Sequence, residues 1–432
     1  MTICPLQQHL HRYNKPFSKR NLMTKLSSTA RKITLVLFIG QSLASAGFIA
    51  AATVNSILGA KLGGNPWAGV PSAVYLVGSA LAASIWGVLM DLIGRRNGIA
   101  LGLLLSTIGA GIVIAAANQS LLWPMYPGMV LMGFGNAAVL LGRFAAAEVN
   151  PPERRGAAIS NVVLGGTVGA IFGPLLVAPM GAFALRLGLD ELAGAYLAAL
   201  ILFGTASLVI FSGLRPDPRD VGRKVAALYP DSAPCGSARP IGLIFREPAA
   251  LIALTAMVLG QVVMVAIMVI TSLHMKEHNH PLSEISTVIS AHTLGMYAFS
   301  VFSGRLADRW GRGPVILTGA GTLLLACLTA PLSPDVLPLA VSLFLLGLGW
   351  NFCFVGGSTL LADQLSPAER ARTQGFNDLL VGLASATGSL GSGLVFAATS
   401  YTVIALVAGL LSIIPLVMVL TWMRRQRAPV RI

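Results

Sequence analysis

The chain has 432 residues, 55% of them apolar and only 11% charged, with a mean hydropathy of +0.76. A soluble domain is about 25% charged, so this composition excludes one and points to a helical membrane protein. The basic residues behind the formal charge of +14 sit in loops between apolar runs, where they orient a membrane protein and do not call for nucleic acid.

Residues 1–32 read as a basic cytoplasmic segment. They contain no long apolar core, so no cleavable signal peptide is expected. Met23-Thr-Lys-Leu resembles a natural start, and no function is placed on residues 1–22. A span needs roughly 20 apolar residues. Runs of that kind cover 33–57, 68–90, 98–117, 124–147, 157–180 and 190–212, which make a six-helix half over 33–213. The polar stretch 214–248 is the only long one and reads as a cytoplasmic linker. Further runs cover 249–272, 283–305, 314–332, 337–361, 374–397 and 402–423, a second six-helix half over 249–423, before a basic cytoplasmic tail at 424–432. The expected fold class is therefore an all-α membrane protein of twelve transmembrane helices in two six-helix halves. All but three of the 30 Lys and Arg residues fall on the side of the termini and linker; the exceptions are Lys61, Arg186 and Lys276. That asymmetry predicts cytoplasmic termini. Cys4, Cys235, Cys327 and Cys353 form no CxxC and indicate no disulfide framework.

The halves repeat one another. Gly87-Val-Leu-Met-Asp91-Leu-Ile-Gly94-Arg95 returns as Gly304-Arg-Leu-Ala-Asp308-Arg-Trp-Gly311-Arg312, half a chain later. Pro152-Glu153-Arg154-Arg155-Gly156 likewise answers to Ala368-Glu369-Arg370-Ala371-Arg372. Repeated halves of membrane helices are a transporter design with the substrate site between the halves near mid-bilayer. Asp91 and Asp308 end their helices, where each would accept from a neighbouring helix N-terminus or pair with Arg. Asp91, Arg95, Asp308 and Arg312 are the charged residues that the two loops share, and the family resemblance given below makes them the candidate gating residues.

The seventh run carries Met257, Met264, Met268 and Met275 within one narrow arc, bordered by Gln261. The eighth carries His292 and Met296 one turn apart. Counting rise per residue, the order from mouth to centre is Met268, then Met264 with His292, then Met296. Thioether sulfur is soft and neutral and selects Cu(I); zinc prefers thiolate, imidazole or carboxylate. An isolated MxxxM is more often core packing, whereas a histidine in mid-span is usually functional. His274, His278 and His280 lie between the two runs, as candidate metal-capture residues at the mouth or as a polar loop.

The repeated Gly-x3-Asp-x2-Gly-Arg loops resemble the signature loop of the major facilitator superfamily, over the whole chain from about residue 33. That resemblance implies alternating access, with the Asp and Arg residues latching the outward-open state. Proton-linked drug exporters fit less well: the basic residue expected before Gly133-Phe-Gly135 falls at Met129. Glu148, Asp363 and Asp378 all lie near cytoplasmic ends, leaving the deep spans without carboxylates. The pair MxxxM and HxxxM in these two spans resembles the CcoA-like copper importers. This implies inward movement of copper across a bacterial inner membrane for cytochrome oxidase assembly, with Met264, Met268, His292 and Met296 as ligands. Copper is then cargo, no cofactor is required, the protein is no enzyme, and a monomer in the lipid bilayer suffices. The alternative cargo is a small organic molecule, a riboflavin-like vitamin or a drug, with Asn55 and Gln261 lining the cavity. A scaffold protein without transport is a third reading, against which the two intact loops argue.

Overall fold

The computed structural model describes residues 16–229 and 239–427, which are helical with short connections and contain no strand among the described residues. The first half holds α1 (Pro16–Gly63), α2 (Val70–Ile93), α3 (Arg95–Asn118), α4 (Met125–Leu140, continued by Gly142–Glu148), α5 (Arg155–Phe172, continued by Val177–Arg186) and α6 (Ala193–Gly213). The second holds α7 (Pro248–Glu277), α8 (Leu282–Tyr297 and Ser300–Trp310), α9 (Arg312–Thr329), α10 (Val336–Asp363), α11 (Pro367–Ala398) and α12 (Tyr401–Arg427). Ten of these are long and apolar enough to cross a bilayer as they stand; α2 and α8 complete the twelve as spans bent by 50° and 41°.

Several helices extend past the expected spans. α11 starts at Pro367, not near 374, because Ser366 and Glu369 form a reciprocal capping box. α1 reaches back to Pro16, into the stretch read as a tail. The polar linker contains a helix, Pro218–Leu228, whose N-cap Asp217 accepts from the Arg219 N–H.

Small residues let the backbones meet, as association without a hydrophobic driving force requires. Gly165, Gly169 and Gly173 on α5 lie one turn apart, and a Cβ on any of them would collide with α1 at Phe38, Ser42 or Ala46. On the other side of the molecule Gly295 and Gly347 do the same for α8 and α10. Pro174 supplies no N–H, and a 3-10 turn at Pro174–Leu176 carries α5 past it. α8 contains no proline. Its bend is held by Asn351 of α10, whose amide donates to the Met296 carbonyl at 2.6 Å and to Ser300 Oγ at 2.9 Å, while Ser303 donates to Asn351 Oδ1. Insertion of a side chain into the backbone ladder is an established cause of such kinks.

The halves interlock at the end that carries Lys61. Asn65 donates to Glu277 at 3.0 Å, Ser389 Oγ donates to the Gly69 carbonyl at 2.7 Å, and a Cβ on Gly69 would overlap the Ser389 carbonyl. At the other, basic end, Arg143 and Asp378, 3.3 Å apart, form the one ion pair between the halves among the described residues. Gly69→Ala should therefore wedge α2 from α11. In purified protein with Cys4 and Cys235 replaced by Ser, maleimide labelling of Ser392→Cys, now buried, should rise severalfold. Unchanged labelling would show that the Gly69 contact does not seal that end.

Candidate functional site

Both signature loops turn on a glycine with the same left-handed conformation, Gly94 at φ 89°, ψ 161° and Gly311 at φ 89°, ψ 162°, a region that favours glycine. In the first half Arg95 pairs with Asp91 at 3.0 Å and with Glu148, at the end of α4, at 2.8 Å. In the second, Arg312 pairs with Asp308 at 3.2 Å and with Asp363, at the end of α10, at 2.9 Å. Each arginine thus ties two helix ends within its own half. Asp91 and Asp308 are exposed, and among the described residues no ion pair of either crosses between the halves. The linker completes only the first loop. Asp217 accepts from the N–H groups of Arg95 and Arg96 at the N-terminus of α3, and Arg219 donates to the Asp91 and Leu92 carbonyls at the end of α2. The far end of the linker holds the second half: Arg239 forks onto Glu369 at 2.7 and 3.1 Å and holds that carboxyl well below the usual carboxylate range.

The predicted ligands lie on two helices that both pack against α10. α7 meets α10 through Met257 with Gly357, Gly260 with Cys353 and Gln261 with Trp350. One and two turns further on, Met264 comes level with Gly347 and Met268 with Leu343. α8 runs parallel to α10, with His292 at Leu343 and Gly347 and Met296 beside Gly347 and Asn351. Carried along α7 by its rise, these contacts put Met268 near the level of His292 and Met264 near that of Met296. Met264, His292 and Met296 are buried and Met268 half-buried. His292 Nδ1 bonds the Leu343 carbonyl at 2.9 Å, while Nε2 is buried without a partner.

Two of the three loop histidines come together: the His274 and His278 rings meet edge-on at 4.4 Å, His274 also stacks on Tyr401 at 4.3 Å, and His278 bonds the His274 carbonyl. His280 bonds Glu284 at 2.6 Å. Among the described residues no cluster of three or more His, Cys, Asp or Glu side chains gathers at one point. Asn55 is buried within the first half, where it accepts from Tyr196 at 2.6 Å and donates to Ser72 at 3.2 Å. Gln261 sits where three helices of the second half meet. It accepts from Trp350 Nε1 at 2.6 Å and donates to Ser385 at 2.8 Å. Trp350 stacks on Phe354 at 5.0 Å and stands edge-on to Tyr297, which has Tyr75 of the first half in its neighbourhood. Asn351, Trp350 and Tyr297 escaped the sequence reading: nothing local distinguishes them from other polar or aromatic residues in a span.

The sequence pattern of the Major Facilitator Superfamily matches residues 37–280 and 252–431. The chain is 36% identical over 403 residues to the MFS-type transporter YdeG of Bacillus subtilis (strain 168), covering 93% of this chain and 94% of YdeG. It is 29% identical over 365 residues to the riboflavin transporter RfnT of Brucella anthropi, covering 82% and 86% respectively. Its fold resembles that of the nucleoside transporter NupG, with a TM-score of 0.66 at 15% identity over 93% of this chain and 99% of NupG.

The kink in α8 should depend on Asn351. Asn351→Leu strands the Met296 carbonyl and Ser300, and it should destabilise the protein by about 1–3 kcal/mol. A lowered thermal unfolding midpoint of the purified protein is the readout; an unchanged midpoint would remove Asn351 as the support of the bend.

Proposed function

Because the chain belongs to the major facilitator superfamily and is a multi-pass membrane transporter, we propose that it imports copper by alternating access across a bacterial inner membrane, with its termini cytoplasmic. The observation that carries this reading is His292. A backbone carbonyl at Nδ1 fixes the tautomer and leaves the lone pair on Nε2, and that nitrogen is buried with nothing to bond. An unmet buried polar atom is costly, and a visiting soft cation would satisfy it. Met264, Met268 and Met296 supply neutral thioethers at the two adjoining levels, which favours Cu(I) over harder ions and permits release. His274, His278 and His280 would collect the ion at the mouth. Asp91, Arg95, Asp308 and Arg312 would gate: the arginines brace α4 and α10, and the two exposed carboxylates, each now paired with its own arginine, would turn to the opposite half in the alternate state.

A second reading has its own support. The Trp350–Gln261–Ser385 chain, with Tyr297 and Tyr75 close by, presents aromatic faces and amide edges suited to a flat organic solute, and RfnT is a riboflavin transporter. Here Gln261 would bind cargo, whereas Asn55 would support it from behind.

Met264→Leu and His292→Ala should each abolish uptake of radioactive copper by cells while the amount of protein in the membrane stays the same. Uptake at the original rate in both would remove the metal path. Trp350→Ala and Gln261→Ala serve the organic reading: loss of riboflavin uptake with copper uptake intact would replace copper as the cargo, and unaffected riboflavin uptake would dismiss the vitamin.

A further inference from the structure

At the basic end, outside the cargo path, a groove of about 520 Å³ runs between the starts of α3 and α5, the end of α4 and the linker helix. Four arginines line it: Arg95, Arg155, Arg219 and Arg223. Glu148 is the one carboxylate in its wall, and Arg95 already holds it. Arg219 is occupied by the carbonyls at the end of α2 and lies 3.8 Å from Asp220. Arg155 and Arg223 have no hydrogen-bond or ion-pair partner among the described residues, and the Nε atoms of Arg155 and Arg219 are buried without an acceptor. The rest of the wall is apolar: Phe144, 46% exposed, with Ala147 and Ala226.

From these observations we infer that the groove binds a phosphate-bearing anion, the headgroup of an anionic phospholipid, with Arg155 and Arg223 on the phosphate and Phe144 against the glycerol and acyl chains. Guanidinium groups recognise phosphate through paired N–H donors, and an anionic leaflet attracts basic segments at the membrane surface. The repeat carries Ala371 where Arg155 stands, and the linker helix brings Arg219 and Arg223 to the groove of the first half.

The test is native mass spectrometry of the full chain released from micelles containing equal phosphatidylglycerol and phosphatidylcholine. The original protein should retain phosphatidylglycerol in preference. In R155Q/R223Q that preference should fall by about tenfold, which is about 1.4 kcal/mol, and R223Q alone, on an exposed face, should shift it the same way without threat to folding. Lys224→Gln, next along the helix and outside the groove, should leave it unchanged. An unaltered preference in both R223Q and R155Q/R223Q would overturn the site. Added inorganic phosphate distinguishes the source: phosphatidylglycerol retained against it supports the lipid, and its displacement by bound phosphate would assign the groove to a soluble anion and overturn the lipid assignment.

Discussion

A backbone that crosses hydrocarbon has no water to bond, so each N–H and C=O must find a partner inside the protein. That constraint decides where these helices bend. α5 passes Pro174 through a 3-10 turn, and α8 bends only where Asn351 takes over the carbonyl of Met296. The same accounting gives meaning to the exceptions. His292 Nε2 is one, on α8 one turn before the bend. Asn377, buried on α11, stands beside the Asp378 that bridges to Arg143. Unmet polar groups in such an interior are expected where something else comes to bind or where helices change neighbours.

The duplication is visible as geometry, not only as sequence. Gly94 and Gly311 share one conformation, and Arg95 and Arg312 each brace the far end of the next span. The linker breaks the symmetry. Its first end caps α3 through Asp217 and α2 through Arg219, and its second grips Glu369 through Arg239. A strap fixed to each half in this way limits how far the basic ends separate, while it leaves the opposite ends to interlock through Gly69 and Ser389.

How much of this the sequence disclosed follows from the range of each signal. Span number, the duplicated loops and the pairing of Asp91 with Arg95 are local, and they were legible from periodicity and spacing. The start of α11 was set by a capping box too polar to count as a span, so it fell several residues earlier than hydropathy suggested. Asn55 looked like a cavity residue because polar side chains in spans are rare; its partners Tyr196 and Ser72 come from other helices, and no spacing announces them. The Trp350–Gln261–Ser385 chain was hidden for the same reason.

α10 is the common ruler of the second half, and its role explains why both cargo readings converge on it. It orients His292 through the Leu343 carbonyl, bends α8 through Asn351, and presents Trp350 to Gln261. Its basic end carries Asp363, which Arg312 clamps to the signature loop. Any movement of that loop is therefore transmitted along one stiff helix to the imidazole, the kink and the aromatic face together. A cargo bound at either place would bias the same rigid element. The coupling of site to gate then needs no longer pathway than the length of α10 itself.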